Sequence, residues 1–124
     1  MTLVAAVPTF RDGLQGGETV SVTTDEDVTR LVELLTQPWA DTGSIQTDEV
    51  VLDVHIHDRW GYLLYSGEAG YLITDGDPDS PAAPSETGFP AGSGLSVSRI
   101  IDALREFVRT QRLPEAVPWR DAGA

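Results

Sequence analysis

The chain of 124 residues contains no cysteine and no lysine, and only two histidines. Without cysteine there are no disulfides and no cysteine-ligated zinc. No apolar run approaches the roughly 18 residues that a helix needs to cross a bilayer. The opening, MTLVAAVPTFRD, has no basic residue ahead of its apolar ones. It does not read as a secretory signal, so a cytoplasmic location is expected. No lysine means that arginine supplies every strong base: eight arginines face twenty acids, a net charge of −12.

The acids are unevenly placed. From Asp41 to Glu86 there are ten, opposed only by Arg59, a local balance of −9. Such a field repels nucleic acid and attracts basic partners. It also keeps a small domain soluble, which is a sufficient reason for acids on any surface. The length and the 40% hydrophobic content fit one globular domain over 1–124.

The stretch from Glu49 to Asp75 organises the rest. Val50, Leu52, Val54 and Ile56 alternate with Val51, Asp53, His55 and His57. That is a strand with one buried face and one wetter face. Trp60 to Ser66 and Tyr71 to Thr74 are rich in aromatic and branched residues. The joints, Asp58-Arg59 and Gly67 to Gly70, are short enough only for hairpins, so the three strands form an antiparallel meander. Before it, Thr2 to Val7 reads as a strand ended by Pro8, Arg11 to Gly17 as a turn, and Glu18 to Thr23 as a second strand. Thr24 caps a helix with Asp27 three residues on. Val28, Leu31, Val32 and Leu35 give it one apolar stripe, and Pro38 stops it. Trp39 to Thr47 reads as a polar connection. Gly76 to Gly94 is a proline-rich loop, with a brief edge strand expected near Glu86 to Phe89. A second helix starts near Ser96 with its stripe at Val97, Ile100, Ile101, Leu104 and Val108, and stops at Pro114. AVPWRD reads as a last strand with Trp119 inward. The expected fold is α+β: an antiparallel sheet, its meander central, with two helices packed on one face.

Two constellations could carry chemistry. His55 and His57 lie two apart on one strand, with Asp53 on the same side, which is a pattern used by metal-dependent hydrolases. These are the only histidines, and catalytic zinc commonly takes three protein ligands. The acids Asp75, Asp77, Asp79 and Glu86 imitate the spacing of a calcium loop. Ser80 stands where glycine is needed, and Pro81 and Pro84 interrupt it. No nucleophile with an adjacent base and no phosphate-binding glycine loop is evident. No enzyme, cofactor or metal site is therefore expected.

The order of features carries a resemblance. TVSVTTDEDVTRLVELL is followed by GYLLYSGEAGYLITDGD, then GFP, then SRIIDALREFVRTQRLPEAVPW. From Thr19 to Trp119 this resembles the Imm-one family of polymorphic-toxin immunity proteins. The resemblance implies an α+β, non-enzymatic protein that binds a cognate toxin tightly. It further implies toxins that often act on nucleic acid, deaminases among them. The proline-rich loop after Asp79 is longer than the family pattern. The expected function is neutralisation of a basic toxin by occluding its active site. The expected contacts are Asp58, Trp60, Tyr62, Tyr65, Glu68, Asp75, Asp77, Asp79 and Glu86, with no nucleic acid or membrane as partner. The alternatives are a metal-dependent hydrolase built on His55 and His57, or a non-inhibitory secretion-system partner or chaperone.

Overall fold

The structure is a computed structural model and describes residues 3–83 and 88–122. Strands β1 (Leu3–Arg11) and β2 (Leu14–Val22) pair along their full length, from Leu3 opposite Val22 to Arg11 opposite Leu14. Only Asp12 and Gly13 separate them, with φ of 53° and 78°. Two successive positive φ values make the turn whose twist matches a hairpin, and Asp-Gly suits it.

The expected stop at Pro8 and turn over Arg11 to Gly17 are corrected by this hairpin. Within a strand, a residue's N and O point to the same edge. The Pro8 carbonyl accepts the Asp41 N–H at 2.9 Å. Its missing N–H therefore faces the Asp41 side and takes nothing from the pairing with β2.

Helix α1 (Asp25–Leu35) begins as expected. Thr24 Oγ1 accepts the Asp27 N–H, and the Asp27 carboxylate accepts the Thr24 N–H, a closed capping box. Val28, Leu31, Val32 and Leu35 are all buried. The polar connection after it contains an unexpected strand, β3 (Gly43–Gln46), inserted between β1 and the meander. Its only apolar side chain, Ile45, is completely buried. A four-residue strand with one inward residue leaves no alternation to read in sequence.

The meander follows as β4 (Val51–His57), β5 (Trp60–Gly67) and β6 (Gly70–Thr74). A short β7 (Leu95–Ser96) pairs with the start of β5, helix α2 covers Val97–Thr110, and β8 (Trp119–Asp121) pairs with β6. The sheet is antiparallel in the order β2-β1-β3-β4-β5-β6-β8. Both helices lie on one face. Leu31, Leu35, Ile100, Leu104 and Phe107 share one core with Ala5, Val7, Ile45, Leu52, Val54, Leu63 and Tyr65.

The opposite face is closed over β5 and β6 by the loop from Gly76 to Gly94. Ala83 and Phe89 form a second core there with Tyr62, Leu64 and Ile73. The loop is pinned by Thr74 Oγ1 to the Ser93 carbonyl at 2.6 Å, by the Gly94 N–H to Ser80 Oγ at 2.9 Å, and by Tyr62 OH to the Pro81 carbonyl at 2.8 Å. Phe89 is buried and in no strand. Gly88 is likewise in no strand, and the rest of the expected edge strand, Glu86 and Thr87, lies outside the described residues.

Helix α2 crosses β5 at Gly61. A Cβ there would collide with Ile100 Cγ1. Gly61→Ala should therefore lower stability by about 1–3 kcal/mol through overpacking. Urea denaturation checks it, and in an Ile100→Ala background the same glycine substitution should cost less.

Candidate functional site

Topology divides the acidic segment. β4 hands over to β5 at what is here the upper end of the sheet, where Asp41 and Asp58 gather, with Asp75 and Asp77 beyond them. Asp48 and Glu49, in the turn between β3 and β4, lie at the lower end with Glu68, in the turn between β5 and β6. The two ends are separated by the length of β5, roughly 26 Å at about 3.3 Å per residue.

Two clefts open at the upper end. One, of about 560 Å3, is lined by Phe10, Trp39, Asp41, His55, His57 and Asp58, among others. No arginine lines it. Arg11, nearby in sequence, stacks 3.6 Å above the Trp39 ring and pairs with Glu18 at 2.5 Å. The other cleft, of about 550 Å3, holds Trp60, Asp75 and Asp77 together with Arg59 and Arg99. Arg120 also stands 3.9 Å from Asp75. The acids on that side are thus partly compensated, whereas Asp41 and Asp58 face outward beside histidines. Asp77 Oδ1 accepts the Asp79 N–H at 2.8 Å, so Asp77 also shapes the loop on which Asp79 is exposed.

Of the expected contacts, Asp58, Trp60, Asp75, Asp77 and Asp79 belong to this end. Glu68 is at the other. Glu86 lies outside the described residues. Tyr62 and Tyr65 are corrected: they are 0% and 4% exposed, one in each core, and offer no surface to a partner. Tyr65 packs edge-on against Trp119, whose Nε1–H donates to the Pro114 carbonyl. By type, the meander aromatics suit both core and contact surface, and register turns Tyr62 and Tyr65 to the core. The large apolar side chains that are exposed instead include Phe10 and Tyr71, for which alternation alone offered no signal.

His55 and His57 do share a side, their rings stacked 6.4 Å apart. Among the described residues no third His, Asp or Glu joins them in a metal-holding group. His55 is buried, its Nδ1 3.0 Å from Thr42 Oγ1 and its Nε2 without a hydrogen-bond partner. Burial lowers its pKa below 6.5, against the pull of Asp41, because a charge on the enclosed ring would be poorly solvated. The unfolded chain then takes up a proton that the native chain resists. Stability should fall as pH drops below about 6.5 and be unaffected above it. Denaturation midpoints at pH 7.5 and pH 5 compare the two regimes, and His55→Gln should flatten the difference.

Asp53 behaves oppositely. It sits half-buried on the outer side of β4, and burial raises its carboxyl pKa above 3.8. The charged form is disfavoured in the fold, so stability is lost as pH rises through that raised value. Asp53→Asn should raise the melting temperature at neutral pH and make little difference below pH 3.8.

The upper end of the sheet thus presents Asp41 and Asp58 outward, a surface whose field attracts basic partners. No curated protein matches the chain. The family model described as immunity protein Imm1 matches residues 16–121, which include every element from β2 to β8 apart from the first two residues of β2. The chain belongs to the Imm1 family of immunity proteins.

Proposed function

We propose that this immunity protein binds a cognate polymorphic toxin that acts on nucleic acid, and neutralises it by occluding its basic active site. The family match carries the reading. The charge distribution supports the rest of it. A toxin that holds a phosphate backbone needs a positive cleft, and carboxylates presented outward compete for that cleft. Asp58 and Asp75 are well presented, with side chains 81% and 55% exposed. Occlusion needs no catalysis from this chain. Its site of action would be the cytoplasm, where the toxin's nucleic-acid substrate lies.

The direct test is co-expression with the toxin gene adjacent to this chain's own. Cells should survive only when the chain is present, and unchanged killing would overturn the reading. Association with that toxin should slow steeply with added salt, because screening shortens the steering field. Replacing Asp75, Asp77 and Asp79 together by Asn should slow association with the fold intact. Asp41→Asn with Asp58→Asn should slow it more, since no arginine lines their cleft. Stopped-flow measurement at two ionic strengths checks both.

A further inference from the structure

The outer face of the sheet is only partly covered. The loop from Gly76 to Gly94 closes over Tyr62, Leu64 and Ile73, and the rows below them stay open. Strand register defines the lowest row. Ser21, Val4, Gln46, Val51, Ser66 and Tyr71 stand side by side across six strands. None of the six is buried, and none is charged. Val4 and Tyr71, 50% and 53% exposed, are among the few large apolar side chains in solvent. In a chain of net charge −12, this row crosses six strands without a charge. At about 4.8 Å per strand it runs for roughly 24 Å, comparable with one side of a standard protein interface.

One carboxylate interrupts the next row, which reads Thr19, Ala6, Ser44, Asp53, Leu64 and Ile73 from β2 to β6 and ends on Arg120 of β8, beside Asp75. Asp53 is half-buried there at the edge of the loop-covered patch. A carboxylate in that position costs stability unless a cation reaches it. Below the open row lie Asp48, Glu49 and Glu68, and above it Asp41 and Asp58. The arrangement is a centre whose one charge is Asp53, with acids at both ends, the anatomy of an interface core within a polar rim.

We propose that this open lower half of the outer face is where the toxin docks, Val4 and Tyr71 meeting its apolar surface and Asp53 taking one of its arginines or lysines. The proposal rests on the toxin-binding reading and names the surface through which it acts. A second copy of the chain is the rival occupant. It fits poorly, because two chains of −12 repel and would bring two Asp53 carboxylates onto uncharged surface. A basic partner is drawn in by the rim and supplies the missing cation. Glu68, remote from the upper acids, then becomes part of the same rim.

The probe is the toxin against which the chain protects cells, with affinity measured by calorimetry on purified proteins. Val4→Thr with Tyr71→Thr should weaken binding at least ~tenfold at little cost in stability, because about half of each side chain is already in solvent and threonine suits a strand. Asp53→Asn should weaken binding at least ~tenfold while raising the melting temperature, a combination that a merely structural role does not produce. Oxidative footprinting of the unaltered chain supplies a measurement independent of any variant: Tyr71 should be modified when free and protected in the complex. If the wild-type chain binds the toxin but the variants bind within twofold of it and Tyr71 stays reactive, the docking surface is elsewhere and the toxin-binding reading stands. If the unaltered chain fails to bind that toxin, both fall together. Protection of Tyr71 in the absence of toxin, with a doubled mass in solution, would assign the face to a second copy and overturn the proposal.

Discussion

The structure depends on one requirement: β5 has to be buried from both sides. From Gly61 to Tyr65 every residue of this strand is buried. Leu63 and Tyr65 face the helices, and Tyr62 and Leu64 face away from them. Strands that pair only as hairpins put no helix on a second face automatically. Two helices therefore close the first side, and a long loop has to close the other. Each fully buried large side chain contributes about 1.5–3 kcal/mol relative to its exposed state. Phe89 is completely enclosed in that second core, so the loop is part of the fold and not an appendage.

The same requirement explains what is left open. The loop reaches far enough to cover β5 and β6, whereas β1, β2 and β3 need no second cover. Their outward residues are small or uncharged, such as Ala6, Thr19 and Ser44, and can stand in water at little cost. A large apolar face in contact with solvent is a liability in most monomers. Here Val4 and Tyr71 are spaced out by Ser21, Gln46 and Ser66, which keeps the surface wettable until something covers it. The acids at both ends add a long-range field to a centre whose one charge is Asp53. Long-range attraction and short-range burial are thus assigned to different residues.

Much of this was legible along the chain. The capping box at Thr24 and Asp27, the stripes of α1 and α2, the meander from β4 to β6 and the inward Trp119 follow from local chemistry. So does the order of features that resembles immunity proteins. Three things were not. β3 carries one inward residue, Ile45, and has no periodicity of its own. Pro8 looks like a stop unless one knows which edge its missing N–H faces. The second core was hinted at by the run Gly-Tyr-Leu-Leu-Tyr, which is apolar on both sides of a strand. The partner of that run, Phe89, sits in a loop with no pattern.

Composition and spacing were enough to establish an acidic, cysteine-free α+β domain whose helices and hairpins are nearly all in their observed places. Caps, turns and stripes depend on neighbours within a few residues, so they can be read before anything folds. Function at the surface depends on neighbours from different strands. Pairing places Asp48, Glu49 and Glu68 at one end and Asp41, Asp58, Asp75 and Asp77 at the other, though all share one acidic segment. It also sends Tyr62 and Tyr65 inward and leaves Tyr71 outside. Register and loop closure decided these outcomes, because burial is a property of what packs on a residue and not of the residue's own type.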